Sequence, residues 1–174
     1  MQSVLLRGPA ARVKDVMNRS TQITLALCLA VFGTAIQARA DCQNVSGSMT
    51  ETIIPAPNDP YGRALGIVNG VLNGASTAVI TSPDGSASSD VIVTNRGDML
   101  TGNGAVTLTP VPGSSNEFTL NVMLTITGGS GKYSGATGKL TYVGLAQFSS
   151  PTTGTFNVIY RGSVCGPNVR ADGN

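Results

Sequence analysis

Residues 117–140 read EFTLNVMLTITGGSGKYSGATGKL, and this stretch decides the fold class. In its first part apolar and polar residues alternate, so one face of an extended chain carries Leu120, Val122, Leu124 and Ile126. A period of two is typical of a β-strand with one buried face. Glycines then interrupt the pattern before a second apolar run. The stretch therefore predicts two strands joined by a glycine-rich turn.

The same alternation recurs elsewhere, for example in residues 105–109 and 155–164. Turn-forming pairs such as Asn73-Gly74 and Asp84-Gly85 separate the alternating segments. No helical period of useful length follows residue 41. The sequence therefore predicts eight strands, near 44–54, 64–72, 75–82, 87–94, 98–109, 117–127, 137–148 and 153–165.

Two segments carry more specific expectations. Val91 and Val93 alternate with Asp90 and Thr94, which predicts that the valines form the buried face of the fourth strand. The stretch 55–60 contains three prolines, which lack the N–H donor that a sheet requires. It is predicted to be a loop.

The predicted architecture is all-β: one eight-stranded antiparallel barrel over residues 41–174, with a two-sheet sandwich as the alternative. Closure removes unpaired strand edges, and a barrel of this size has room for side chains or one small ligand. An outer-membrane barrel can also have eight strands but needs aromatic girdles. After residue 40 the chain has only four Tyr and three Phe residues.

The first forty residues have the three parts of a secretory signal peptide. They hold five of the eleven basic residues, an apolar run at 23–36, and the small-residue exit Ala38-Arg39-Ala40. The run is shorter than the roughly 20 residues of a membrane span, although an uncleaved anchor helix is the alternative. We predict cleavage after Ala40, from a start at Met1 or Met17, and export to the periplasm or the cell exterior.

Residues 41–174 form a weakly acidic domain. They retain six basic and eight acidic residues, a net charge of about −2. Such a domain has no electrostatic reason to bind nucleic acid or anionic membranes. We expect neither partner, and no insertion into a membrane after cleavage.

Two cysteines follow the predicted leader, Cys42 and Cys165. In an exported chain a pair of cysteines most simply forms one disulfide, with two free thiols as the alternative. Closure of a barrel would bring the first and last strands together, as this bond requires.

The composition excludes several kinds of catalytic site. Without histidine there can be no Ser-His-Asp or Cys-His system and no histidine-ligated zinc, and no metal site is predicted. Paired carboxylates for glycoside hydrolysis could come from Glu51, Asp90, Asp98 and Glu117. Nothing in the sequence brings two of these acids together.

The glycine-rich run 128–140 places Tyr133 between two strands, where its ring can fold over the turn and cap one end of the core. With its flanking strands, this run resembles the allene oxide cyclase and dirigent-like barrels, including bacterial exported relatives of unknown role. The resemblance extends over residues 117–165. It implies an eight-stranded barrel, often a homotrimer, whose mostly apolar lumen holds a reactive intermediate, with neither metal nor organic cofactor.

The resemblance also suggests site residues. The cyclases use a carboxylate of the first strand, and here Glu51 is the acid of that strand. It shares a face with Val45, Met49 and Ile53, so an inward position would raise its pKa and suit it to proton transfer, unless the strand faces the other way. The lumenal cysteine of the cyclases has no counterpart. Apart from the resemblance, polar groups near the glycine-rich run make candidate ligand contacts of Tyr133, Tyr142, Tyr160, Arg161 and Asn121. Tyr142 and Tyr160 share faces with apolar neighbours, which favours core positions over ligand contacts for these two.

Three functions are consistent with these observations. The first is an exported barrel that binds a small apolar molecule in its lumen. The second is a cofactor-free cyclase or isomerase, or a dirigent-type protein, that steers a reactive intermediate. The third is a structural or surface-interaction protein with a filled barrel. An open lumen with convergent polar groups would separate the first two from the third.

Overall fold

A computed structural model describes residues 41–150 and 152–169. The predicted signal peptide, residues 1–40, lies outside the described residues, so its cleavage stays a prediction. In the described residues no helix has the length and apolar character needed to cross a membrane.

Eight antiparallel strands form a closed barrel in which each strand pairs with the next and the last pairs with the first. The strands are β1 (Asp41–Ala56), β2 (Asp59–Gly70), β3 (Gly74–Ile80), β4 (Ala87–Thr94), β5 (Met99–Pro110), β6 (Glu117–Ser130), β7 (Thr137–Ser150) and β8 (Thr153–Gly166). The predicted all-β barrel is confirmed, and the sandwich is excluded because β8 closes on β1 along thirteen paired positions.

Alternation along the strands places the core inside the barrel. On β6 the buried residues are Leu120, Val122, Leu124 and Ile126, as the opening stretch predicts. They pack with inward residues of the other strands in one main hydrophobic cluster. Burial of this apolar surface is the dominant favourable contribution to the stability of the barrel.

The two ends of the barrel differ. One end, here called the closed end, carries the connections β2–β3, β4–β5 and β6–β7, and it is filled by Leu72, Tyr133 and Val169, all buried in the main cluster. Tyr133 lies in a single 3₁₀ turn, Gly131–Tyr133, that begins with Gly131 at a φ of +60°. The predicted capping of the core by this tyrosine is confirmed.

The opposite end, here called the open end, carries the connections β1–β2, β3–β4, β5–β6 and β7–β8. The prediction of a loop over 55–60 is wrong in extent. Strand pairing continues to Ala56 and resumes at Asp59, leaving a turn at 57–58. The register shifts between Ile54 and Ala56, and such irregular ends of a strand pair tolerate proline.

The facing predicted for β4 is also wrong. Ser88, Asp90 and Ile92 are the buried residues of this strand, whereas Val93 is exposed. The register with β3 and β5 decides the facing, because Asp90 pairs with Ala78 on one side and Gly102 on the other, both of which face the interior. The polar side chains of Ser88 and Asp90 therefore lie inside the barrel.

The predicted disulfide is confirmed. Cys42 and Cys165 occupy paired positions of β1 and β8 and are joined by an S–S bond. The bond fastens the first strand to the last where the barrel closes.

Candidate functional site

A cavity of about 380 Å³ lies in the barrel toward the open end. Its wall is mostly apolar and is contributed by all eight strands, with residues such as Ile53, Ala78, Val106, Leu120, Phe148 and Val158. This volume lies in the range of pockets that hold small organic molecules. The closed end is packed with side chains, so the cavity occupies only part of the interior.

Two carboxyl groups interrupt the apolar wall. Glu51 on β1 and Asp90 on β4 both line the cavity, and each is 8% exposed. The Ser76 hydroxyl donates to Glu51 Oε1 at 2.7 Å, and the Ser88 hydroxyl donates to Asp90 Oδ2 at 2.5 Å. Each acid is therefore fixed by one serine from the inner surface of the barrel.

Glycines make room for the acids on the neighbouring strands. Gly66 is paired with Glu51, and a Cβ atom there would lie 2.5 Å from Glu51 Cγ. Gly104 is paired with Ser88, and a Cβ atom there would overlap the Ser88 hydroxyl and lie 3.2 Å from Asp90 Oδ2. A larger residue at either position would displace an acid or its serine.

Both acids titrate close to neutral pH. Burial raises the pKa of Glu51 to about 7, assisted by the charge of Asp90 and opposed by the Ser76 hydrogen bond. Burial likewise raises the pKa of Asp90 to about 6 against the effect of its bond from Ser88. The described residues that line the cavity include no lysine or arginine that could offset the cost of ionisation.

Tyr142 on β7 also lines the cavity. The residue is only 4% exposed, and its hydroxyl has no hydrogen-bond partner in the described part of the chain. Burial raises the pKa of Tyr142 well above its usual value, and the charges of Asp90 and Glu51 act in the same direction. The hydroxyl is therefore protonated at neutral pH, and no group of the described residues bonds it.

One further acid stands at the mouth of the cavity. Asp84 lies in the β3–β4 connection and accepts hydrogen bonds from the backbone N–H and the hydroxyl of Ser86, at 3.1 and 2.7 Å. These bonds lower the pKa of Asp84 to about 2. Its exposed carboxylate is negative at the pH of most biological fluids.

The remaining predicted site residues lie elsewhere. Tyr160 points inward, but its hydroxyl accepts the Leu72 N–H at 3.0 Å, and the residue does not line the cavity. Tyr133 is part of the closed end. Asn121 and Arg161 are exposed on the outer surface of the barrel. Of the residues predicted from the sequence, the structure brings together Glu51 and Tyr142.

Sequence reasoning names Glu51 and Asp90 among four candidate acids without placing these two in one cavity, and it misses Ser76 and Ser88, which hold them. The available signal was Ser88, two residues before Asp90, because residues i and i+2 share one face of a strand. In residues 41–150 and 152–169 no group of three or more Asp, Glu, His or Cys side chains is placed to hold a metal ion.

No protein-family model matches this chain, and a search of curated proteins finds no match. A comparison with solved structures finds similarity to the structure of the pterocarpan synthase dirigent protein GePTS1. The two chains are 12% identical, the match covers 78% of this chain and 90% of that chain, and the TM-score is 0.44. The fold of this chain is assigned from its own strand pairing, and the chemistry of the cavity from its own residues.

Proposed function

We propose that this barrel binds a small, largely apolar molecule in the cavity at its open end. The observation that carries the proposal is the cavity itself, a space of about 380 Å³ with an apolar wall and a few convergent polar groups. Transfer of a ligand from water to such a wall is favourable by about 25 cal/mol for each Å² of apolar surface buried. The polar groups would fix the orientation of the ligand.

The third hypothesis, a filled structural barrel, fits the closed end only. A barrel selected for stability alone has no reason to keep two acids at positions where larger apolar residues would fill the interior. Buried carboxyls without a basic partner lower stability when they ionise. This loss of stability supports a binding role for the cavity.

The test is a titration with N-phenyl-1-naphthylamine, an uncharged fluorescent probe that brightens in apolar surroundings. We expect saturable binding by the wild-type protein and a loss of at least tenfold in affinity for Ala78→Phe, whose ring would occupy the cavity. Ala75→Phe is the matched control, since Ala75 is exposed on the outer face of the same strand. Ala64→Leu, a smaller cavity-filling change, serves if Ala78→Phe does not fold. Failure of the wild type to bind the probe, or equal binding by all folded variants, would contradict the proposal.

A second candidate function is cofactor-free proton transfer of the isomerase or cyclase kind. The observation that favours it is the Glu51 carboxyl, which has a pKa of about 7 and borders the cavity. An acid of this pKa can act as a base or an acid at neutral pH.

5-Nitrobenzisoxazole tests this function without knowledge of the natural substrate. A carboxylate removes its ring C–H proton while the N–O bond breaks, and the product is 2-cyano-4-nitrophenolate. We expect catalysis that rises with an apparent pKa between about 6 and 7 and falls at least tenfold in Glu51→Gln. Catalysis unchanged in Glu51→Gln would remove this acid from the mechanism.

We also propose that the chain is exported to the periplasm or the cell exterior. The Cys42–Cys165 disulfide supports an oxidising compartment. The amino terminus of the exported protein should read Asp-Cys-Gln-Asn, and native mass spectrometry of the same sample would count the subunits of the expected homotrimer. A retained leader would contradict the predicted cleavage.

A further inference from the structure

The charged groups of the cavity all have the same sign. Glu51 and Asp90 lie within it, Asp84 stands at its mouth, and the described lining residues contribute no basic side chain. An isolated carboxylate in apolar surroundings is unfavourable, and a cation that enters removes this cost. The wall is therefore electrostatically complementary to a positive ligand.

The hydrogen bonds leave acceptor atoms available on both acids. Ser76 occupies Glu51 Oε1 and Ser88 occupies Asp90 Oδ2, so that Glu51 Oε2 and Asp90 Oδ1 can accept donors from a ligand. The serines hold each carboxyl in a fixed orientation without neutralising it.

Tyr142 supplies an independent indication. The residue lines the cavity, its buried hydroxyl has no partner in the described residues, and the charges of Asp90 and Glu51 act on it. A buried polar group of this kind usually has a hydrogen-bond partner. Since the described residues supply none, a bound ligand is a candidate partner. Lone pairs of the hydroxyl can accept an N–H, and two carboxylate oxygens with one hydroxyl oxygen match the three donors of an ammonium group.

We propose that the cavity selects an organic cation: a protonated primary amine on an apolar body, with its ammonium group bound by Glu51, Asp90 and Tyr142. The inference rests on the proposed function and names the chemical class of its ligand. The apolar body packs against the hydrophobic wall, and Asp84 draws the cation toward the mouth by its charge.

The proposal differs from neutral binding in its pH dependence. An ammonium ion requires ionised acids, so its binding strengthens as pH rises through the range in which Glu51 and Asp90 lose their protons. Binding of a neutral ligand that accepts a hydrogen bond from either protonated acid weakens over the same range. The other titratable groups at the cavity are Tyr61, Tyr142 and Asp84, and Tyr160 packs its ring against Tyr142.

The test compares 4-phenylbutylamine with 4-phenylbutan-1-ol, which differ in one polar group, by isothermal titration calorimetry at pH 5 and pH 8. Alkylamines have a pKa of about 10, similar to that of lysine, so the amine is charged at both pH values. We expect it to bind at least tenfold tighter at pH 8 than at pH 5, and at least tenfold tighter than the alcohol at pH 8.

Variants assign the preference to the acids. Glu51→Gln/Asp90→Asn should abolish the preference for the amine while the alcohol still binds. If the double variant does not fold, the single variants Glu51→Gln and Asp90→Asn should each reduce the preference. Glu117→Gln/Asp41→Asn is the charge-matched control, because neither residue lines the cavity. It should retain the preference.

The outcomes separate the two proposals. Equal affinity for amine and alcohol, or binding of the naphthylamine probe with no binding of the amine, overturns the cation inference and leaves the proposed function standing. Failure of the probe, the amine and the alcohol alike to bind overturns the proposed function itself. A preference that survives in Glu51→Gln/Asp90→Asn places the cation elsewhere and also overturns the inference.

Discussion

Two tyrosines on neighbouring strands show how one hydroxyl can serve the fold and another a ligand. Tyr142 on β7 and Tyr160 on β8 are paired across the strands, and their rings meet edge to face with centroids 6.4 Å apart. The Tyr160 hydroxyl satisfies the backbone N–H of Leu72, which belongs to the closed end. The Tyr142 hydroxyl, in contrast, is buried without a partner in the described residues, on a residue that lines the cavity.

Removal of each hydroxyl should change stability in opposite directions. Tyr142→Phe eliminates a buried group without a partner, so the free energy of unfolding of the ligand-free protein should rise by about 1 kcal/mol. Tyr160→Phe leaves the buried Leu72 N–H without a hydrogen-bond partner, so the free energy of unfolding should fall by about 1–3 kcal/mol. Urea denaturation of the two variants beside wild type measures both effects. A loss of stability in Tyr142→Phe as large as that in Tyr160→Phe would show that the Tyr142 hydroxyl has a structural partner.

Strand β1 illustrates what the sequence can predict at the scale of an element. Its inward positions carry Val45, Met49 and Ile53 at even spacing, so the facing of Glu51 follows from its neighbours and is confirmed. The turns are likewise predicted from short local sequences, and the disulfide follows from there being only two cysteines after residue 40. Such signals are sufficient to predict the fold and the inward position of Glu51, but not that of Asp90.

Strand β4 illustrates what the sequence cannot predict. Val91, Ile92 and Val93 form a continuous apolar run, so alternation alone does not decide which face is buried. The facing is set by pairing with β3 and β5, where Asp90 is paired with the inward residues Ala78 and Gly102, and Gly104 leaves room for its carboxylate. Register is a property of three strands together, and the acid pair therefore becomes visible only in the folded barrel.

The disulfide is expected to stabilise the closure of the barrel between β1 and β8. It joins residues separated by 123 positions, and in the chain-entropy account a loop of about this length contributes about 4–5 kcal/mol, with measured values usually lower. We expect Cys42→Ala/Cys165→Ala to keep the barrel and lose about 2–5 kcal/mol of unfolding free energy, measured by urea denaturation. Wild type in reducing agent should approach the variant, and the variant should not respond to reducing agent. Equal stability of oxidised wild type and variant would show that strand pairing alone secures the closure.

At the scale of the whole molecule, stability and the proposed binding reside at different ends of one barrel. The closed end is packed by Leu72, Tyr133 and Val169, while the open end keeps a cavity and two buried acids. A protein can tolerate such a site because the net stability of a domain, although small, is a sum over the entire core. The cost of the site should then be visible as a dependence of stability on pH.

The sign of that dependence follows from the two acids. Folding raises the pKa of Glu51 from 4.5 to about 7 and that of Asp90 from 3.8 to about 6. Between about pH 4 and pH 7 the folded protein therefore binds more protons than the unfolded chain, and stability falls as pH rises. Either acid taken alone corresponds to a fall on the order of 3 kcal/mol, since one pKa unit is worth 1.36 kcal/mol. The lowered pKa of Asp84 acts in the opposite direction, but only below this window.

We expect the free energy of unfolding of ligand-free wild type, followed by urea denaturation from pH 4 to pH 8, to decrease by a few kcal/mol and level off above about pH 7. Glu51→Gln/Asp90→Asn should remove most of the slope, because neither amide titrates, and should exceed wild type in stability at pH 8. Glu117→Gln/Asp41→Asn, with the same net charge, should keep the wild-type slope, which separates the cavity acids from a general effect of charge. A wild-type profile that is flat or rises over this range would mean that the two carboxyls reach solvent or a cation in the folded protein. Glu51 and Asp90 would then not be two buried acids without a compensating charge.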